Sequence, residues 1–125
     1  MPKILVIDDN DLVRASTRSI LEGEGYSVEE AGDGDAGIAR TKSFSPDLIL
    51  TDIVMPNKEG IEMIRDLRGR GYAGPIIAMS GGGRLDATEV LDLAGKLGAD
   101  ACLAKPFKKA ELLAKVKACL DNADS

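Results

Sequence analysis

The stretch KILVIDDND, residues 3–11, leads to the fold prediction. Residues 4–7 are four aliphatic side chains in a row; Asp8 and Asp9 follow directly, and Asp11 comes two positions later. A short apolar run of this kind is typical of a strand buried on both faces. Adjacent carboxylates repel each other, and burying them is costly unless a cation lies close by. The stretch therefore predicts a central strand whose end faces either water or a positively charged partner.

Four further β-rich runs follow, and helical patterns separate them. The predicted strands cover residues 3–7, 27–31, 48–51, 75–79 and 101–104. The predicted helices are one that Asp11 caps and that extends through Leu21, and four more over residues 33–42, 59–68, 87–97 and 108–122. Glycines near the helix ends suit left-handed cap positions: Gly23 or Gly25, Gly69 and Gly98. The alternation predicts an α/β fold with a five-stranded parallel sheet, five helices and right-handed crossovers.

Length and composition narrow the class of protein. The 125 residues fit one domain, which we expect to cover residues 1–125 without a linker. Because the chain has no histidine, catalysis or metal binding would depend on carboxylates, hydroxyls, lysines or the backbone. A net charge of −5 argues against direct binding to nucleic acid. No apolar run has transmembrane length, and the two cysteines form no disulfide or zinc pattern. We expect a reduced, cytoplasmic protein without membrane insertion.

Reactive side chains follow four of the five predicted strands. Asp8 and Asp9 follow the first, Asp52 follows the third in LILTDIVMP (48–56), Ser80 follows the fourth in IIAMSGGG (76–83), and Lys105 follows the fifth in ACLAKPF (101–107). Ligands of open parallel sheets bind beyond the carboxyl ends of the strands. The sequence therefore predicts that three acids, a hydroxyl and an ammonium group meet at one edge of the sheet.

This set of groups suits phosphoryl chemistry. Three carboxylates favour a hard divalent cation, and we expect Mg²⁺ rather than Ca²⁺ because the chain has no EF-hand-like loop. A carboxylate such as Asp52 can attack a phosphoryl group and carry it as an acyl phosphate. The cation and Lys105 would neutralise the transferring group, and Ser80 with the amides of Gly81, Gly82 and Gly83 could donate to its oxygens.

The motifs ILVIDD, LILTDIVMPNKEG, IIAMSGGG and CLAKPF resemble those of the response-regulator receiver family, over essentially the whole chain. The resemblance implies a flavodoxin-like, doubly wound sheet with strand order 2-1-3-4-5, in a receiver of the stand-alone type. It also implies a phosphohistidine donor, on a sensor histidine kinase or a histidine phosphotransfer protein. An output protein would recognise the face formed by the fourth predicted helix, the fifth strand and the fifth helix.

Site residues are implied by position within those motifs. Asp52 resembles the phosphoacceptor. The direct Mg²⁺ ligands would be Asp9, Asp52 and the backbone carbonyl of Val54, with Asp8 acting through water. Ser80 resembles the hydroxyl that moves toward the phosphoryl group, and Lys105 resembles the lysine that pairs with it.

Three features stand out against the family pattern. Cys102 lies where receivers usually carry an aromatic residue coupled to the hydroxyl, so we do not expect that coupling in its usual form. We interpret Cys102 as a small buried hydrophobe rather than a redox group. The segment of Gly81, Gly82 and Gly83 is expected to be mobile without phosphate and to order on binding it, although glycine could instead merely permit a turn. A short connection and the family resemblance together lead us to expect a cis peptide between Lys105 and Pro106.

Several functions remain open at this level. The chain could be a phosphorylation-controlled switch, or a relay intermediate that passes its phosphoryl group to another histidine protein. An aspartate-nucleophile phosphatase is a weaker alternative, because that class typically has a second acid two residues after the nucleophile, where this chain has Val54. A flavodoxin-like cofactor binder is also a weaker alternative, because aromatic residues are only 3% of the chain.

Overall fold

The computed structural model describes residues 2–53, 60–80 and 98–123, in which strands and helices alternate. The strands are β1 (Lys3–Ile7), β2 (Ser27–Ala31), β3 (Leu48–Asp52), β4 (Ile76–Ser80) and β5 (Ala101–Ala104). The helices are α1 (Asp11–Gly23), α2 (Gly34–Phe44), α3 (Gly60–Gly69) and a C-terminal helix (Lys109–Ala123). All neighbouring strands are parallel, in the order β2-β1-β3-β4-β5. The predicted fold class and strand order are confirmed.

Four of the five predicted helices lie in the described ranges, and the helix predicted over residues 87–97 lies outside them. The start of α1 differs from the prediction. Asn10 caps the helix: its Oδ1 accepts hydrogen bonds from the backbone N–H groups of Leu12 (3.0 Å) and Val13 (3.1 Å). Asp11 is the first helical residue, and its carboxylate binds Arg14 instead. Asn10 is the cap because its backbone is extended, which lets its side chain turn back onto the first helical turn.

Among the described residues, three glycines are left-handed, and the prediction includes two of them. Gly25 and Gly98 have φ values of 94° and 90°, as expected. The prediction for Gly69 was wrong, because Gly69 is the last residue of α3 and the left-handed residue after it is Gly71, with φ of 94°. The helix thus ends two residues before the chain reverses.

The sheet separates two hydrophobic clusters, as alternation along the strands requires. In β1, Leu5 and Ile7 face the cluster under α2 and α3, whereas Ile4 and Val6 face the cluster under α1 and the C-terminal helix. All four side chains are fully buried. Both faces of the central strands are covered, which explains why β1 and β3 are almost continuously apolar. Among the helices of the described ranges, none has the length and apolarity that crossing a bilayer requires.

Strand register brings the carboxyl ends of the central strands level with one another. Ile7 of β1 pairs with Thr51 of β3, so Asp8 and Asp52 follow at the same height. Asp52 in turn pairs with Met79 of β4, and Ser80 pairs with Ala104 of β5. Parallel strands therefore deliver the residues that follow them to one edge of the sheet.

Candidate functional site

Lys105 links Asp8, which follows β1, to Asp52, the last residue of β3. From the connection after β5, its Nζ reaches across the end of β4 and donates to Asp8 Oδ2 at 2.6 Å and to Asp52 Oδ2 at 3.1 Å. The Asp8 residue is 0% exposed, Asp52 is 5% exposed, and the Lys105 side chain is 15% exposed. The cation that the opening sequence stretch demands is therefore a lysine located 97 residues after Asp8.

The protonation of Lys105 reflects two opposing effects. Burial disfavours its charged form and lowers its pKa, but the hydrogen bonds and charges of Asp8 and Asp52 outweigh burial, so the pKa is raised above its ordinary value. Lys105 is therefore an ammonium group throughout the neutral range. It can pair with carboxylate or phosphoryl oxygens but cannot serve as a general base there.

Every polar group of Asp8 has a partner. Its backbone N–H donates to the carbonyl of Ala31 (3.1 Å), and its carbonyl accepts from Arg14 Nη1 (2.7 Å). Its Oδ1 accepts from the backbone N–H of Asn10 (2.9 Å), and its Oδ2 accepts from Lys105. A buried carboxylate with this many donors is held in one orientation.

Asp8, Asp9 and Asp52 form an acidic cluster that could hold a metal ion. One carboxylate oxygen from each lies within 4.8 Å of the other two. Asp8 and Asp52 are buried, whereas Asp9 is exposed at the opening of the cluster. An all-oxygen, all-carboxylate donor set with one ligand open to water fits Mg²⁺, which prefers oxygen ligands and retains several waters.

A groove of about 830 Å³ leads to this cluster, between α1 and the connection after β5. Its lining residues are Asp9, Asn10, Val13, Ser16, Thr17, Ile20, Asp52, Lys105, Pro106 and Phe107. The peptide bond between Lys105 and Pro106 is cis, which is the isomer expected from the sequence. The groove combines an apolar wall from α1 with a charged end at Asp52.

The structure describes some of the other predicted residues only in part. Ser80 is the last residue of β4, level with Ala104, and its side chain lies outside the described part of the chain. Val54 and the three glycines at residues 81–83 lie outside the described residues as well. Cys102 is half-buried and packs against the hydrophobic cluster under α2 and α3. Burial raises the pKa of the Cys102 thiol, although the charge of Lys115 acts in the opposite direction.

Sequence reasoning missed Arg14, which contacts the backbone of Asp8 from the first turn of α1. One signal was available. Glu30 is a charged residue near the end of a strand, and such a residue needs a partner. The structure supplies two, Arg14 Nε at 3.0 Å and Arg18 Nη1 at 2.8 Å.

Comparison with known proteins gives consistent matches along the chain. A family model described as the response regulator receiver domain matches residues 4–117. The chain is 40% identical over 121 residues to the transcriptional regulatory protein ResD of Bacillus subtilis, covering 97% of this chain and 49% of that protein. It is 40% identical over 118 residues to the response regulator MprA of Mycobacterium tuberculosis, covering 94% and 50% respectively. The chain therefore spans about half the length of these curated relatives.

Solved structures show the same fold. A CheY-like response regulator receiver domain protein from Methanospirillum hungatei JF-1 matches with a TM-score of 0.89 at 31% identity, covering 99% of this chain and 97% of that one. The receiver domain of the Francisella response regulator 1452 matches with a TM-score of 0.88 at 27% identity, covering 98% and 99%.

Proposed function

The chain belongs to the response regulator receiver domain family, and on that premise we propose that it is a phosphorylation-controlled signalling switch. Asp52 accepts a phosphoryl group from a sensor histidine kinase or a histidine phosphotransfer protein. The family is one of phosphoacceptor signalling domains rather than of true enzymes. Self-phosphorylation from phosphodonors and slow hydrolysis of the aspartyl phosphate would be the chain's own chemical activities.

One observation carries the proposal: Lys105 Nζ lies within hydrogen-bond distance of both Asp8 and Asp52, at the carboxyl edge of the sheet. Asp52 is almost fully buried yet lines the groove, so an incoming group can reach it through the groove. A buried carboxylate held beside a fixed ammonium group is a positioned nucleophile whose charge partner is already in place.

The proposed transfer forms one bond to phosphorus and breaks another. An Asp52 carboxylate oxygen attacks the phosphorus of a phosphohistidine, an O–P bond forms, and the P–N bond to the imidazole breaks. The released imidazole nitrogen keeps the bonding electron pair and takes up a proton. Lys105 then exchanges its contact with the Asp52 carboxylate for one with a phosphoryl oxygen, and the hydroxyl of Ser80 donates to another.

Asp9 and Asp52, with the backbone carbonyl of Val54, are the proposed Mg²⁺ ligands, and Asp8 is proposed to act through water. When bound, the ion would offset charge on the acids and on the phosphoryl oxygens. The donor set of the acidic cluster supports this assignment. Lys105 supplies one positive charge against three carboxylates, so the cluster retains an excess of negative charge that favours a divalent cation.

The switch itself is proposed to involve residues after β4 and on β5. Ser80 and the segment of Gly81, Gly82 and Gly83 would rearrange around the phosphoryl group and alter the face formed by the fourth predicted helix, β5 and the C-terminal helix. Cys102 is a half-buried thiol in this region, and its side chain is too small to act as an aromatic rotamer switch. Partner recognition would therefore depend on the backbone and on the residues around Cys102.

The groove suits the approach of a phosphohistidine carried by another protein. Val13 and Ile20 line its apolar wall along α1. Leu12 lies in the first turn of the same helix and is 83% exposed. Among the described residues, no other large apolar side chain is exposed. Because the buried centre of a protein–protein interface is usually apolar, we propose that the donor protein docks on this side of α1.

Labelling with acetyl phosphate and Mg²⁺ tests the phosphoacceptor assignment. The intact mass of the wild-type chain should rise by one phosphoryl group, and hydroxylamine should remove the label because acyl phosphates react with it. Asp52→Asn should take up no label, whereas the control Asp35→Asn, an exposed acid at the start of α2, should label like the wild type. Label retained on Asp52→Asn would overturn the assignment.

Two further measurements separate a switch from a relay intermediate. Pull-down with and without beryllofluoride, which imitates the phosphoryl group, should capture a partner only in its presence if the chain is a switch. Transfer of label from the phosphorylated chain back to a purified histidine phosphotransfer protein would instead support the relay function.

A further inference from the structure

The geometry points to Arg14 as a positioning residue that holds Asp8 in place for the acidic cluster. The inference rests on the proposed function, because it concerns the same Mg²⁺ and phosphoryl site. Arg14 does not contact the reacting atoms. It acts through the backbone of Asp8, whose carboxylate is one of the three in the cluster.

The three side-chain nitrogens of Arg14 donate hydrogen bonds to three different parts of the fold. Its Nη1 donates to the carbonyl of Asp8 at 2.7 Å, its Nε to Glu30 Oε1 on β2 at 3.0 Å, and its Nη2 to Asp11 Oδ1 on α1 at 2.6 Å. The side chain is 17% exposed, so these contacts are partly shielded from water. One planar group therefore joins the end of β1, the start of α1 and the end of β2.

The Asp8 carbonyl needs such a partner. The N–H of Asp8 still bonds to Ala31, the last residue of β2, but the strand pairing ends there. Asp8 is fully buried, and a buried carbonyl without a donor would be unfavourable. Arg14 supplies the donor that the sheet no longer provides, and so fixes the peptide unit from which the Asp8 carboxylate extends.

Geometry rather than net charge explains the role. Arg14 pairs with Asp11 and shares Glu30 with Arg18, so acids outside the acidic cluster balance its charge. A lysine at this position would keep the charge, but its single ammonium cannot reproduce the fork that reaches three separate acceptors.

Arg18 offers a matched control. It donates to Glu30 Oε2 at 2.8 Å and to Glu22 at 3.2 Å on the same surface. No hydrogen bond from Arg18 to Asp8 occurs within the described residues. A substitution of Arg18 thus disturbs the same ion-pair cluster without touching the carbonyl of Asp8.

Two readouts on folded ¹⁵N-labelled protein test the inference. The first is the Mg²⁺ Kd from chemical-shift titration with the metal alone; the second is hydrogen exchange of the Asn10 amide, which donates to Asp8 Oδ1. Arg14→Gln and Arg14→Lys should both weaken Mg²⁺ binding about tenfold, the lower end of the loss typical when an outer-shell group such as the water-bridged Asp8 is disturbed. Both should also accelerate Asn10 exchange beyond any change in global stability. Arg18→Gln should leave both readouts near the wild-type values.

The inference is overturned if the Arg14 variants keep wild-type affinity and exchange, if Arg18→Gln matches them, or if Arg14→Lys restores both readouts fully. The two readouts also separate this inference from the proposed function. A wild-type chain that binds no Mg²⁺ would contradict the proposed metal site, while Asn10 exchange in the metal-free variants would still decide whether Arg14 holds Asp8.

Discussion

At the scale of single residues, the site depends on how one lysine offsets two buried acids. Lys105 pairs with Asp8 and Asp52, and Asp8 has no exposure to water through which its charge could otherwise be solvated. The pKa of Lys105 is raised above its ordinary value of 10.5. Its contribution to stability is therefore fully present below pH 10.5 and is lost only as pH rises through the higher folded-state pKa.

Lys105→Ala should destabilise the metal-free protein and make its stability depend more strongly on Mg²⁺. Removing one partner of a buried ion pair leaves an uncompensated charge, and we expect a loss of about 2–4 kcal/mol in the free energy of unfolding. Mg²⁺ should recover part of this loss, because it can offset the same carboxylates. Urea unfolding in EDTA and in excess Mg²⁺ measures both effects.

The exposed residue Lys108 provides the control, and Lys108→Ala should unfold like the wild type under both conditions. Wild-type stability of Lys105→Ala in EDTA would mean that the two ion pairs contribute little in solution.

At the scale of helices and strands, α1 and β2 are joined by an ion-pair cluster around Glu30. Hydrogen bonds from Arg18 lower the pKa of Glu30 below its ordinary value of 4.5; burial opposes this shift, and Arg14 adds to it. A carboxyl group with a depressed folded-state pKa stabilises the protein above its unfolded-state pKa. That stabilisation is lost as pH falls through the folded-state value.

Glu30→Gln should therefore lower stability at neutral pH but not in acid. We expect a difference of about 1 kcal/mol from wild type at pH 7, at the upper end for partly exposed pairs. The difference should shrink below pH 4.5, as Glu30 of the wild type becomes protonated. Thermal unfolding of both proteins from pH 7 to pH 3 measures this difference in stability. A difference that stays constant over this range would show that packing, not charge, explains the effect.

Two helical glycines, Gly37 in α2 and Gly23 in α1, differ in the space around them, and we expect alanine to have opposite effects on stability at the two positions. A Cβ on Gly37 would lie 2.6 Å from Ile7 Cδ1 and 3.2 Å from Met63 Sδ, and both neighbours are fully buried. A Cβ on Gly23, at the end of α1, would meet nothing within 4 Å. Gly37→Ala should therefore lose about 1–3 kcal/mol through overpacking. Gly23→Ala should gain up to about 1 kcal/mol, because alanine loses less backbone entropy in a helix.

Denaturant unfolding of both variants shows whether each substitution lowers or raises the free energy of unfolding. A stable Gly37→Ala protein would mean that Ile7 can move aside within the core at little cost.

At the scale of the whole molecule, sequence patterns predicted most of the sheet. The bounds of β1, β2 and β5 agree with the prediction, whereas β3 and β4 each end one residue later than predicted. The convergence of Asp8, Asp52 and Lys105 was also predictable, since residues after parallel strands share one edge. The sequence did not predict that Lys105 lies closer to Asp8 than to Asp52, because a long side chain can reach either acid.

Two other details depend on tertiary geometry that the sequence does not reveal. Asn10 and Asp11 are equally good capping residues, so only the extended backbone at Asn10 decides between them. The role of Arg14 requires acceptors on β1, β2 and α1 to meet at one guanidinium, and no local pattern encodes that meeting.

The arrangement of the groove beside Asp52 leads to a prediction about large and small phosphodonors. Leu12 is exposed on the first turn of α1, and its chain neighbour Val13 lines the groove that ends at Asp52. Under the proposed function, a donor protein would cover this surface to deliver its phosphohistidine, whereas acetyl phosphate is small enough to reach Asp52 without contacting Leu12. Leu12→Ser should therefore slow transfer from a protein donor only. We expect about a fivefold loss, which corresponds to about 1 kcal/mol, the cost that separates the more important residues of an interface from the rest.

The measurement compares labelling rates with the sensor histidine kinase that labels the wild type fastest in a purified panel, and with acetyl phosphate. Ala39→Ser is the control, because residue 39 is exposed on α2, on the opposite side of the sheet from α1. Equal slowing with both donors would indicate damage to the acidic cluster rather than to docking. An unchanged rate with the kinase would mean that the donor approaches Asp52 without covering the first turn of α1.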